Sequence, residues 1–375
     1  MEFFTVLFVP LFIFPLPGVT AINYHDRIHV PAMFLFGDSL ADAGNNDFIP
    51  NSTAKANFPP YGETFFHRPT GRFTNGRTAF DFIASILKLP FPPPYLKPRS
   101  DFSHGINFAS GGSGILDSTG NDMNIIPLSL QIRQFVANYS SSLKQKGAGG
   151  VYSAKTHLSQ SLYVISSGGN DIALNYLLNT SFQRTTSAQD FVKLLLSKYN
   201  EYLLSLYHTG ARNFLVLDIP PVGCVPSSRL AGMKAWNGGC LETANKLVMA
   251  YNGGLRQLVV HLNKKLEGAT ILVTNSYDFV MKIIKHGKSY GFIETKSACC
   301  GAGPFNTAVN CGLEIPKDKR GEYKAFLCKR PGKYMFWDGT HPTEKVYKMV
   351  SRQIWHGNSS FISPFNLKTL ILRRH

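Results

Sequence analysis

Ser39, Asp338 and His341 are the residues whose types and spacing point to chemistry. Ser39 sits in a Gly37-Asp38-Ser39 turn at the end of the apolar run Ala32 to Phe36. A serine delivered to such a turn is a nucleophile when a histidine reaches its hydroxyl and N–H donors face the carbonyl it attacks. Taken alone, it is equally a turn or helix-cap residue. Asp338 and His341 stand three apart in Asp338-Gly339-Thr340-His341, a spacing that makes them neighbours on one helical turn. Asp338 then accepts the Nδ1–H of His341, and Nε2 is left to act as general base on Ser39 Oγ.

Two further turns complete the set. Ser110 to Gly114 reads Ser-Gly-Gly-Ser-Gly, and Gly168 to Asp171 reads Gly-Gly-Asn-Asp. Glycines allow close backbone approach and leave N–H groups free to face a ligand. The backbone N–H of Ser39, that of one second-turn glycine and the Asn170 side-chain amide are expected to form a three-donor oxyanion site. We assign the glycine as Gly112, with Gly111 as the alternative. Any one of these residues alone is an ordinary turn or cap; only the set is informative.

These turns need elements that bring them to one place. The reading gives five short apolar strands: Ala32 to Phe36, Gly105 to Ala109, Ser161 to Ser166, Asn213 to Asp218 and Thr270 to Thr274. Helical periodicity marks Thr78 to Leu89, Leu128 to Tyr139, Gln189 to His208, Leu241 to Leu266, Asp278 to Lys285 and Glu344 to Trp355. Gly210 is a stop signal, and Gly253-Gly254 breaks or is tolerated by its helix. Short apolar strands alternating with helices predict one parallel sheet covered on both faces, a three-layer α/β/α sandwich with a central, mainly five-stranded parallel sheet. Strand order stays open. A parallel sheet sets the three turns on its carboxyl edge, where ligands bind. Asn57 to Arg77 is expected to be an ordered loop over that edge, Lys144 to Gly150 a surface loop, and Ala298 to Cys328 a cysteine-rich loop.

Composition narrows the class. The chain has 375 residues, 44% of them hydrophobic, enough for a substantial core. Met1 to Ala21 is strongly apolar with small residues at Val19 and Ala21, the pattern of a signal peptide cleaved after Ala21, although Glu2 stands where a basic residue is usual. Pro10, Pro15 and Pro17 argue against the alternative of a retained membrane anchor. One domain over residues 22–375 is expected to follow, extracellular and without a membrane span. Six cysteines (Cys224, Cys240, Cys299, Cys300, Cys311, Cys328) suit disulfides in such a chain. The rival, a metal site, is disfavoured because paired CxxC spacing is missing. Sequons begin at Asn51, Asn138, Asn179 and Asn358 and are candidate glycan sites. The formal charge of +16 is either a solvated surface or an attraction to acidic polymers. No basic run or RNA-binding aromatic motif points to nucleic acid.

The four blocks together carry a family signature. Phe36 to Ser39 with Asp42 to Asn46, Asn107 to Gly114, Gly168 to Asp171 and Trp337 to Thr343 resemble the plant secreted GDSL esterase/lipase family of the SGNH hydrolase superfamily. Pro59 to Gly62, Pro69 to Phe73 and Cys299 to Gly301 are similar to the same branch. The resemblance runs from about Pro31 to Ser351. It implies a flavodoxin-like fold and a nucleophile outside the Gly-x-Ser-x-Gly elbow, since Asp38 and Leu40 flank Ser39. It implies two-step acyl transfer from esters by Ser39, with His341 protonating the leaving alcohol, and no metal or organic cofactor. The substrate would be a lipid, cutin-like or acylated wall-polysaccharide ester, or a phenolic one, with an acidic wall polymer as a partner. An acyltransferase using the same intermediate and an inactive binding glycoprotein are the rival classes. Three disulfides are also implied, Cys224 with Cys240 and two among Cys299, Cys300, Cys311 and Cys328. Phe65, Phe66 and Phe73 are candidates for an apolar acyl site, or for loop core.

Overall fold

The structure is a computed structural model that describes residues 1–2, 30–140, 154–233 and 237–373. Apart from Met1 and Glu2, the expected leader lies outside the described residues, as does the Lys144 to Gly150 loop. Five parallel strands form where the apolar runs stand: β1 (Met33–Gly37), β2 (Gly105–Asn107), β3 (Leu162–Ser166), β4 (Asn213–Leu217) and β5 (Thr270–Thr274). Their spatial order is β5-β4-β3-β1-β2. This is the doubly wound, flavodoxin-like order, whose direction reverses between β1 and β3 and opens a crevice there.

Alternation of side chains along each strand feeds the two faces. Phe34, Phe36, Tyr163, Ile165, Phe214 and Val216 enter one core cluster. The helices α2 (Leu128–Gln134), α3 (Ala188–Thr209) and α4 (Glu242–Lys265) pack on that face. Met33, Leu35, Leu162, Val164, Leu215 and Leu272 enter the second cluster. There they meet α1 (Ala79–Ile86), α5 (Ser276–Lys285), α6 (Glu344–His356) and α7 (Leu367–Leu372). The strands are therefore buried on both sides, which is why each reads as a continuous apolar run.

Local signals explain the boundaries. Thr78 caps α1 in a reciprocal box with Asp81, and Gly210 ends α3 in the left-handed region at φ 118°. Gly253 and Gly254 do not break α4. A Cβ on Gly254 would stand 2.3 Å from Leu196 Cδ1, so glycine lets α4 approach α3 closely.

Two expectations are corrected, and the sheet gains one strand at its edge. The helix from Leu128 is α-helical only to Gln134 and continues as a wider π turn over Phe135–Ser140. The cysteine-rich segment is not all loop: β7 (Cys300–Ala302) pairs antiparallel with β8 (Ala325–Leu327). Beside them, β6 (Glu294–Ala298) pairs with β9 (Tyr334–Phe336). After α6 the chain adds β10 (Ile362–Ser363), antiparallel to β5, which makes a six-stranded sheet. Two residues are too few to show a period, so this strand left no trace in the pattern.

All six cysteines are paired, as Cys224–Cys240, Cys299–Cys328 and Cys300–Cys311. This removes the thiolate ligands that a cysteine metal site would need. Among the described residues no helix is long and apolar enough to cross a membrane.

Candidate active site

Register brings the turns together. Gly37 on β1 pairs with Ser166 on β3, and Ser166 pairs with Leu217 on β4. The Ser39 and Asn170 turns therefore leave the sheet at the same level. Gly37 has φ 139°, and a Cβ there would stand 1.9 Å from the Ser166 carbonyl oxygen. Only glycine lets β1 and β3 lie this close where the chain turns towards Ser39. The Gly37 backbone is then held by Gln131 of α2, which accepts from its N–H at 2.8 Å and donates to its carbonyl at 2.9 Å.

Ser39 and His341 are separated by 302 positions, yet Ser39 Oγ lies 2.7 Å from His341 Nε2. His341 Nδ1 lies 2.9 Å from Asp338 Oδ1 and 2.8 Å from Oδ2. Asp338 Oδ1 also accepts the backbone N–H groups of Thr340 and His341, at 2.8 and 2.7 Å. Tyr61 donates its hydroxyl to Asp338 Oδ2 at 2.8 Å. Burial of the Asp338 carboxyl works to raise its pKa, but the charge and hydrogen bond of His341, with the two backbone N–H groups, outweigh it and hold the pKa below the usual value. Asp338 is thus an anion fixed against the imidazole. Phe73 packs a tilted ring at 5.0 Å from the His341 ring.

The N–H donors divide clearly. Gly111 N–H is committed to Asp42 Oδ2 at 2.9 Å. The backbone N–H groups of Ser39 and Gly112 have no hydrogen-bond acceptor among the described residues. Gly112 lines the cleft, with φ 85°. Asn170 lines it too, and donates one side-chain N–H to the Ser113 carbonyl at 2.9 Å. That bond orients the amide and leaves its second N–H available. The cleft has a volume of about 490 Å³ and runs past Ser39, His341, Gly112 and Asn170.

Three buried aspartates frame the turns, and sequence reasoning gave none of them this role. Asp42 accepts from the N–H groups of Gly44, Asn45 and Gly111, tying the first turn to the second. Asn45 donates to the carbonyls of Asn107 and Ala109, adding two more ties. Asp171 accepts from Ile115 N–H, Leu116 N–H and Thr119 Oγ1, tying the third turn to the second. Asp218, just after β4, accepts from Thr274 at the end of β5 and from Ser276 beyond it. Burial pushes the carboxyls of Asp42 and Asp171 up to about 6 in spite of these donors. Tyr61 and Gln131 were likewise not singled out. Tyr61 lay inside the Pro59 to Gly62 block; Gln131 gave no signal beyond its place on an amphipathic helix.

Asp38, the residue before Ser39, has fewer donors than Asp42 or Asp171. Its carboxyl accepts from Leu40 N–H at 3.0 Å, and burial pushes its pKa from 3.8 up to about 7. Raising the pH from about 4 ionises this group first in the unfolded chain, so the native state loses stability across that window up to about 7. Asp38→Asn removes the penalty while keeping the acceptor. Its melting temperature should therefore gain more over the wild type at alkaline pH than near pH 5, as read by thermal unfolding at both. An equal change at the two would contradict the assignment.

Two aromatics predicted near the acyl site are elsewhere. Phe65 and Phe66 pack on each other at 4.9 Å and on Phe91 at 6.2 Å, beneath the guanidinium groups of Arg77 and Arg72. They form an aromatic cluster at the surface of the loop, Phe65 exposed and Phe66 half-buried, and of the three only Phe73 lines the cleft. Of the sequon residues, Asn51, Asn179 and Asn358 are exposed, while the Asn138 side chain lies outside the described set.

The three-layer α/β/α fold carries this arrangement at its switch-point crevice, and the family to which the chain belongs makes it an ester-bond hydrolase. The chain belongs to the family of GDSL-like lipases/acylhydrolases, in its plant type and within the SGNH hydrolase superfamily; the match covers residues 33–354. It is 38% identical to GDSL esterase/lipase 6 of Arabidopsis thaliana over 349 residues, 91% of this chain and 90% of that protein. It is 33% identical to GDSL esterase/lipase 5 of the same plant over 363 residues, 93% and 89%. To the GDSL lipase of Tanacetum cinerariifolium it is 35% identical over 346 residues, 90% and 87%.

Proposed function

We propose that this enzyme hydrolyses carboxylic esters through a Ser39-His341-Asp338 triad and an acyl-enzyme. The observation that carries this reading is the 2.7 Å contact of Ser39 Oγ with His341 Nε2, on a ring whose other nitrogen is held by an ionised carboxylate. Ser39 Oγ gives its proton to His341 Nε2 as its oxygen bonds to the ester carbonyl carbon. The carbonyl oxygen becomes an oxyanion facing the N–H groups of Ser39 and Gly112 and the Asn170 amide. The acyl C–O bond breaks, and His341 returns the proton to the leaving alkoxide. Water then gives a proton to His341 and attacks the acyl carbon. Release of the acid restores the Ser39 hydroxyl. Gly112 is preferred to Gly111 as the second donor because the Gly111 N–H is already engaged by Asp42.

Water and an alcohol acceptor compete for the same acyl-enzyme, so product analysis with a simple alcohol present separates the hydrolase from an acyltransferase. The hydrolase reading expects free acid as the main product. Transfer product in large excess over acid would reverse it.

A leader is cleaved after Ala21, and the domain over residues 22–375 is secreted to the extracellular wall space. Exposed Asn51, Asn179 and Asn358 carry glycans, as does Asn138. The ester is drawn from lipid, cutin-like or acylated wall-polysaccharide material. The charge of +16 favours acidic wall polymers, with binding that weakens as salt rises.

A further inference from the structure

Behind the nucleophile turn, on the α1/α6 face of the sheet, lies a second cavity of about 90 Å³. Phe80 of α1, Val280 of α5, Met335 of β9 and Val346 and Val350 of α6 form its walls. Leu40, Val225 and Thr340 line both this cavity and the main cleft. The two spaces are therefore divided by one layer of side chains, and the first of these belongs to the residue after Ser39.

Native interiors leave few voids larger than a water molecule. An apolar void stays dry and takes apolar ligands. Ser166, Asp218, Ser276, Thr340 and Tyr347 are the polar residues at its mostly apolar wall. Asp218 and Ser276 are bonded to each other, whereas the Tyr347 hydroxyl is buried and without a hydrogen-bond partner among the described residues. A space of this kind, one residue from Ser39 and behind the Leu40 side chain, is suited to a hydrocarbon chain and not to a sugar.

We propose that this cavity is the acyl-chain pocket of the enzyme, entered by displacement of Leu40 and Val225, and that it selects esters of medium-chain fatty acids over acetyl esters. The assignment rests on the reading of Ser39 as nucleophile. At the tetrahedral carbon, Ser39 Oγ, the oxyanion and the leaving oxygen take three directions. The first is fixed by His341, the second by the donors at Gly112 and Asn170, and the third by the returning His341 proton. The acyl chain takes the fourth, and the recess under Leu40 provides the apolar volume it needs.

The test compares p-nitrophenyl octanoate with p-nitrophenyl acetate, using the purified full chain and counting active sites with a small alkyl phosphonate. Val280→Phe fills the cavity, and the octanoate-to-acetate ratio of kcat/KM should fall by about tenfold or more. Met335→Ala enlarges it, and the preferred chain should lengthen. If Val280→Phe does not fold, as shown by failure to take up the phosphonate, the shift in Met335→Ala decides. Ratios unchanged in the folded variants overturn the proposal. So does a change confined to the discrimination between octyl acetate and ethyl acetate, which would give the cavity to the alcohol. Full hydrolysis by Ser39→Ala is a different failure, because it removes the nucleophile and leaves the chain-length measurement standing.

Discussion

Ser39→Ala is expected to lower kcat on every ester the enzyme accepts by about 10⁵-fold to 10⁶-fold, with KM little changed. The size follows from the position of the hydroxyl. Its oxygen is 2.7 Å from His341 Nε2 and beside two N–H groups without acceptors, so removing it leaves a base with no nucleophile to activate. What survives is the contribution of the oxyanion donors and of binding, roughly 10³ over water. Substrate binding should persist, because the cleft walls are untouched. The fold should persist as well, since Ser39 carries no other side-chain hydrogen bond among the described contacts. Steady-state kinetics beside a thermal melt check both parts. A residual rate within tenfold of the wild type, in a folded protein, would show that another group attacks the ester.

Asp338→Asn should cost about 10⁴ in kcat at neutral pH. The proposed mechanism gives Asp338 two tasks in this geometry. It accepts the Nδ1 proton of His341, which leaves Nε2 bare towards Ser39, and its negative charge stabilises the imidazolium that forms when Ser39 attacks. An amide at this position presents a donor as readily as an acceptor. Donation to Nδ1 would move the ring proton to Nε2 and block proton transfer from Ser39. The turn itself should hold, because an amide oxygen still accepts the N–H groups of Thr340 and His341. A loss of kcat with the melting temperature close to the wild type is therefore the expected pattern, measured on the same preparation. A kcat within tenfold would make Asp338 a turn residue only.

Much of this arrangement could be read in the chain because each part has a local signature. The parallel strands are apolar runs, since each is buried on both faces, and their glycine turns mark the carboxyl edge. Asp338 and His341 are close in sequence, so a helical spacing already joins them. Strand order left no such mark. It is set by which helices pack across the sheet, a long-range matter, and the order β5-β4-β3-β1-β2 emerges only from the fold.

The preference for Gly112 over Gly111 had little local ground for a similar reason. The bond that supports it runs from Gly111 to Asp42, 69 positions away. Tyr61 reaches Asp338 across 277 positions, and Gln131 reaches Gly37 across 94. Supports of this kind need no fixed spacing. Phe65 and Phe66 are a related case. Residue type alone left an acyl site and loop packing both open, and only the stacking with Phe91, Arg72 and Arg77 places the two rings away from the cleft. β10 was missed because a strand of two residues has no period to detect.

The central claim is that one serine becomes covalently acylated under the control of His341. The most direct measurement exposes the purified enzyme to an alkyl fluorophosphonate and locates the adduct by intact mass and peptide mapping. The account predicts a single adduct on Ser39, absent from Ser39→Ala and formed far more slowly in His341→Ala. An adduct on another residue, or labelling of Ser39 at the same rate without His341, would contradict it.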